Sequence, residues 1–247
     1  KIVINIVYGM TSASYDNPFR HPNNIDNIVA KRGALFMIDL QFAVQEQGYT
    51  VVHIKTDSIK IANGDDYIKD FVMNFGKKYG YTFEHEATYS KMALVNKAVY
   101  IAQYGWADKE SKIGHWEATG AQFAQPYVYK KLFSHEEITE KDFEIIKSAT
   151  APIYLGDTFV GKVAPVYASL SGDEMWRVDE AKNKKASVVG TKGYLWKLTS
   201  EYAGLKDIDM RYYDGLIKDA IENIDKYGSI ADFIDVPEEY QDLLLPF

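Results

Sequence analysis

Residues 51–61, VVHIKTDSIKI, constrain the fold more than any other stretch of the chain. Two β-branched runs meet at the polar quartet Lys55-Thr56-Asp57-Ser58, and turn formers between two apolar runs specify a tight hairpin. The flanks are helical. Over residues 25–47, Ile28, Leu35, Ile38 and Phe42 recur at helical spacing, with Asn24 or Asp26 placed to cap the helix and Gly48 to close it. Over residues 65–79, Ile68, Phe71, Val72 and Phe75 form one stripe, and Gly80 ends the segment. YTFEHEATY (81–89) alternates as a strand does, with Tyr81, Phe83 and His85 on one face and Thr82, Glu84 and Glu86 on the other. Residues 92–104 read as strand interrupted near Asn96-Lys97. The order helix, hairpin, helix, strand, strand implies an α+β layer, a mostly antiparallel sheet backed by helices.

Residues 1–12 are apolar on more than one side and are expected to break at Tyr8-Gly9, while residues 12–24 are a loop by composition. Beyond Trp116 the texture changes. Short helices are expected near 126–133 and 139–148, strand pieces at 152–179 and 186–197, a helix at 209–227 and a tail helix near 237–245. A domain boundary is expected near residue 120. The opening KIVINIVYGM has no initiator Met and begins inside an apolar element, which suggests a piece of a longer or split protein.

Composition narrows the class. Apolar residues make up 47% and charged residues 26%, ordinary for a globular protein able to bury a substantial core. No apolar run is long enough for a membrane span and no signal peptide is visible, so no membrane partner is expected. The absence of cysteine excludes disulfides and thiolate metal sites and agrees with an intracellular, cytoplasmic setting. A net charge of −7 argues on its face against nucleic-acid binding. Lysines nonetheless cluster at Lys77-Lys78, Lys130-Lys131, Lys182-Lys184-Lys185 and Lys192-Lys197. Each cluster is either a solvated face or a phosphate contact. The 19 tyrosines fit either a packed core or base stacking.

The informative acids are Asp57, Glu84 and Glu86. Asp and Ser at a hairpin tip satisfy their own backbone, or a carboxylate on a rigid turn holds Mg²⁺. If the hairpin pairs beside the 81–89 strand, Asp57 approaches the carboxylates of that strand, and converging carboxylates need a cation between them. The bland alternative is a solvated acidic face. Lys1, Asn5 and Tyr8 share a helix face at spacings of four and seven, offering a cation for phosphates, an amide and an aromatic platform, or simply a helix end packed into the core. The histidines are isolated, and no Ser-His-Asp order, P-loop or GxGxxG fingerprint is present.

In order, these pieces resemble family B DNA polymerases, phage-type members above all. KIVINIVYG resembles the K-x-x-x-N-S-x-Y-G signature of the fingers helix, VVHIKTDSIKI the D-T-D-S hairpin of the palm, and FEHEATYSKMALVNKAVYIAQY the stretch ending in K-x-Y or K-K-x-Y that holds the primer end. The resemblance covers roughly residues 1–105. It implies the end of a fingers helix and loop at 1–19, a palm at 20–120 and a mixed α/β thumb at 121–247. Lys1 would contact the incoming triphosphate, Asn5 and Tyr8 would line the nascent base pair, and Gly9 would allow close backbone approach. Asp57 would be the catalytic metal ligand, with Thr56 beside it on the DNA and Glu86 as a second candidate ligand. Lys97 and Tyr100 would hold the primer terminus.

Three departures matter. Ile6 replaces the usual serine, Lys55 stands where the first aspartate of D-T-D-S would be, and Ala98 occupies the lysine slot of K-x-Y, leaving Lys97 to fit only the longer form. The family's other palm aspartate would lie upstream of Lys1. The implied activity is therefore template-directed DNA synthesis by two-metal nucleotidyl transfer. Two Mg²⁺ ions would be shared with an upstream polymerase half, and the partners would be primer–template DNA and dNTP. This chain alone is expected to be inactive. The rival from another class is a catalytically inactive, polymerase-derived DNA-binding or scaffold subunit, which Lys55, Ala98 and the missing motif favour.

Overall fold

The computed structural model describes residues 2–179 and 184–243, with the side chains of residues 2, 4, 25, 26 and 179 outside the description. The chain is α+β with antiparallel sheets and divides into two compact units, Lys1–Glu86 and Ala87–Phe247. The span 20–120 assigned above to a palm runs across that division.

The first unit contains α1 (Ile2–Ser12), α2 (Ile28–Glu46), β1 (Val51–Lys55), β2 (Ser58–Ile61) and α3 (Asp66–Lys78). α1 passes through Gly9 instead of breaking there. The hydroxyls of Thr11 and Ser12 bond back to the carbonyls of Val7 (2.9 Å) and Tyr8 (2.8 Å), so the last turn of the helix is tied by its own side chains. A 3₁₀ turn, Pro22–Asn27, leads into α2. The expected capping roles do not hold for Asn24, which instead donates to Thr11 Oγ1 at 2.8 Å, and the Asp26 side chain lies outside the described residues. Gly48, at φ +86°, closes α2 as expected.

The apolar stripe read from the α2 sequence is not its core face. Met37, Leu40 and Val44 are buried, whereas Leu35, Ile38 and Phe42 are 61%, 46% and 59% exposed. α2 carries two apolar stripes, and periodicity alone did not say which one the hairpin and α3 would cover. α3 matches the stripe read for it, with Ile68 and Val72 buried, and it starts at a cap not read from the sequence, Asp65, which accepts from the Ile68 N–H at 3.0 Å. The core of this unit joins these residues to Ile54 and Ile59, which stand opposite each other on one side of the hairpin.

Residues 81–86 are not strand. Tyr81 and Phe83 dock onto an aromatic cluster on α2 and α3, with ring centroids 4.5 Å and 5.9 Å from Phe36. Anchoring both rings to the helices holds the segment away from any sheet.

The second unit opens with three antiparallel strands in chain order, β3 (Ala87–Asn96), β4 (Val99–Ala107) and β5 (Trp116–Thr119). The interruption read near Asn96-Lys97 is the β3–β4 turn. Two single-turn helices follow, α4 (Ala121–Ala124) and α5 (Pro126–Tyr129), the latter continuing as a π turn over Lys130–Ser134. A five-stranded sheet is then built from β6 (Ile145–Leu155), β7 (Thr158–Ser169), β8 (Met175–Asp179), β9 (Lys184–Ser187) and β10 (Leu195–Leu198), in the order β10-β7-β6-β8-β9. The helix expected at 139–148 is only a 3₁₀ turn, Glu140–Phe143, capped by a Thr139–Asp142 box. From Ile145 onward the alternation that buries Ala151, Ile153 and Leu155 makes strand. α6 (Met210–Asp225) covers the sheet with Tyr212, Tyr213, Ile217 and Ile221 buried, and α7 (Ile230–Phe233) follows. Tyr213 locks the layers together: it accepts from the Ala168 N–H at 3.1 Å and donates to the Phe143 carbonyl at 2.6 Å. The expected tail helix is a 3₁₀ segment, Glu238–Leu243.

Candidate functional site

The hairpin forms as the sequence implies. Lys55 and Ser58 are its last paired residues, which leaves Thr56-Asp57 as a two-residue turn, and Ser58 Oγ donates to the Lys55 carbonyl at 3.1 Å. Thr56 has φ +54°. Glycine or asparagine occupies that left-handed region at little cost, whereas a β-branched residue there stores about 1–3 kcal/mol of strain. The turn therefore holds Asp57, exposed to solvent, on a backbone conformation that its sequence does not favour. Lys55, also exposed, lies on the same side of β1 as His53, which is 7% exposed and stands opposite Lys60.

The strand expected to carry acids beside Asp57 does not form at residues 81–86. Glu84 and Glu86 are both exposed and lie in the segment outside the sheets, and among the described residues the hairpin pairs only with itself, as a two-stranded sheet. The pairing beside an 81–89 strand does not occur. Among the described residues, no three His, Cys, Asp or Glu side chains converge as a metal-ligand group. Asp57 is one carboxylate, and the residues described do not by themselves fit a site for two Mg²⁺ ions.

On α1, Asn5 is exposed and Tyr8 half-buried, three residues apart and so on one helix face. The Tyr8 hydroxyl donates to Asn27 Oδ1 at a long 3.4 Å. Nothing lies within 4 Å of a Cβ built on Gly9, so the backbone there is open to approach. Lys1 lies outside the described residues.

In the second unit, Lys97 is exposed at the β3–β4 turn, which Asn96 shapes by accepting from the N–H groups of Ala98 (2.9 Å) and Val99 (3.1 Å). Tyr100 is 5% exposed, and its hydroxyl donates to Glu117 Oε1 at 2.9 Å. Its phenol is raised above the ordinary value, first by burial. Glu117 is a residue that sequence reasoning missed. The only legible hint was that Tyr100 and Tyr104 share a strand face, because the partner strand's register could not be read.

The lysine clusters divide into two kinds. Lys130 is bonded to Asp142 at 3.0 Å, Lys131 to Glu239, and Lys197 to Asp207 at 3.1 Å. Lys77, Lys78, Lys184, Lys185 and Lys192 are exposed. Lys185 Nζ sits 4.0 Å from the centroid of the Trp176 ring, which itself stacks on Tyr154. Lys182 lies outside the described residues. Lys147 is half-buried, donates to the Tyr212 hydroxyl and the Gly190 carbonyl, and lies over the Trp196 ring; burial pushes its amine down. No helix among the described residues is long and apolar enough to cross a membrane.

Comparison with protein-family models, with curated proteins and with solved structures gave no match to this chain.

Proposed function

We propose that this chain is a palm-and-thumb portion of a family B DNA-directed DNA polymerase. The observation that carries the reading is Asp57. An exposed carboxylate is fixed at the tip of a two-residue turn by a strained Thr56, within a stretch that resembles the family's D-T-D-S hairpin. Backbone strain at an exposed tip marks a position whose geometry matters more than its cost. Asn5, Tyr8 and the open backbone of Gly9 support a nucleotide-facing helix, and the Lys97 turn supports a primer-side contact. The exposed lysines Lys184, Lys185 and Lys192 suit a duplex backbone. The chemistry is template-directed nucleotide addition, with Asp57 as a metal ligand, Glu86 as a second candidate ligand, and a further aspartate supplied by an upstream half.

A second reading, a polymerase-derived DNA-binding subunit without catalysis, is favoured by two observations. Lys55 stands two residues from Asp57 where the pattern has an acid, and the Tyr100 hydroxyl is committed to Glu117.

Equilibrium binding of a fluorescein-labelled primer–template tests what the two readings share. Sequence-independent binding is expected, with log K falling linearly with log salt. No binding of duplex DNA at low salt overturns both readings.

A further inference from the structure

Tyr100, Ala102 and Tyr104 alternate along β4 and so share one face of the three-stranded sheet. Glu117 stands opposite Ala102 on β5, and Tyr89 stands opposite Tyr104 on β3. From these positions three phenols reach one carboxylate. Tyr100 donates to Oε1 at 2.9 Å, Tyr104 donates to Oε2 at 2.7 Å, and Tyr89 donates to Oε2 as well. Ala102, fully buried, is the small residue across from the carboxylate. An ionised carboxylate only accepts, and it offers about four lone-pair sites. Burial first, then the bond to Glu117, pushes the phenols of Tyr89 and Tyr104 up, so the protons stay on the tyrosines. One acceptor on β5 thereby fixes side chains from both other strands of the sheet.

Tyr100 follows directly on the turn that carries Lys97. Anchoring its hydroxyl fixes the first residues of β4, while the Asn96 amide oxygen fixes the turn from the other side. We propose that Glu117 is a positioning residue for primer contact: through Tyr100 it holds the Asn96–Val99 turn so that Lys97 is presented to the primer-strand phosphates. The ligand in this proposal rests on the polymerase reading, whereas the positioning rests on the sheet geometry alone. Tyr100 then serves through where it holds the strand, since its hydroxyl is already engaged.

Two measurements test it. Amide hydrogen exchange at Ala98–Tyr100 is compared between the wild-type chain and Glu117→Gln, which keeps the side-chain volume. Faster exchange is expected in the variant, and unchanged protection overturns the positioning role. Primer–template binding is then measured for Glu117→Gln, Tyr100→Phe, Lys97→Ala and the Glu117→Gln/Lys97→Ala pair. Each single change is expected to weaken binding about three- to tenfold, with the pair losing no more than Lys97→Ala alone, as coupled sites do. Lys97→Ala should also lower the salt slope by about one. Additive losses in the pair, or wild-type affinity in Glu117→Gln, overturn the proposal. A wild-type chain that binds no primer–template overturns the polymerase reading and the primer contact with it. The exchange data still report separately whether Glu117 orders the turn.

Discussion

The Phe83 ring occupies the space that a side chain on Gly76 would need: a Cβ built there would stand 2.7 Å from Phe83 Cδ2 and 3.2 Å from the Tyr81 carbonyl oxygen. Gly76 is buried in α3, and its lack of a side chain lets residues 81–83 lie against the helix. Gly76→Ala raises helix propensity by about 1 kcal/mol yet must displace that ring. We expect a net destabilisation of about 1–3 kcal/mol, the usual cost of overpacking. Urea unfolding of the chain gives the value, and a stabilised variant would contradict the packing.

The two apolar stripes of α2 predict opposite outcomes. Leu40 is fully buried among Met37, Val44, Ile68 and Val72, so Leu40→Ala should cost about 2–5 kcal/mol. Leu35, 61% exposed, should lose no more than about 0.5 kcal/mol on the same change. Thermal unfolding of the two variants side by side distinguishes the observed face from the one suggested by periodicity. Equal losses would mean that both faces are covered.

Asp207 sets an acid limit on the second unit. Its carboxylate accepts from Ser171 Oγ (2.5 Å), Ser169 Oγ (2.8 Å), the Tyr167 hydroxyl (2.8 Å) and Lys197 Nζ (3.1 Å). Burial pushes the carboxyl up, but these four donors outweigh it and hold the group well below the usual carboxylate range. A carboxyl depressed in the folded state stabilises fully above its unfolded value of about 3.9, and that contribution fades as pH falls toward the folded value. Stability should therefore decline below about pH 4 in the wild type. Asp207→Asn should be less stable at neutral pH and show a shallower acid slope. Denaturation midpoints measured from neutral to acid pH provide the check, and an unchanged slope in the variant would remove Asp207 from the account.

The sequence was most legible where local signals agreed. The hairpin around Thr56-Asp57, α3 with its buried Ile68 and Val72, and the end of α2 at Gly48 all follow from turn residues, a closing glycine and one clear stripe. It misled where tertiary contacts decided. Residues 81–86 alternate like a strand, but Phe36, itself packed against Phe75 and Tyr79, claimed the rings of Tyr81 and Phe83. α2 offered two faces and buried the less obvious one. Only the first part of β6 hid behind helical-looking residues at 139–148, because Ile145–Ser148 find their partners at Val163–Val166, at the open end of a long hairpin. At the candidate site, Asp57 and the Lys97 turn could be named from sequence. Glu117 could not, because its role depends on a cross-strand register that no local pattern encodes.

The measurement that bears most directly on the central claim is primer extension with Mg²⁺ and dNTPs, using this chain alone and then supplemented with a polypeptide carrying the upstream palm. We expect no extension by the chain alone, extension on mixing, and its loss when Asp57→Asn replaces the wild type while duplex binding is retained. Extension that persists in Asp57→Asn, or its absence from an assembled mixture that binds primer–template, would contradict a catalytic role for Asp57; the latter result would leave a DNA-binding subunit.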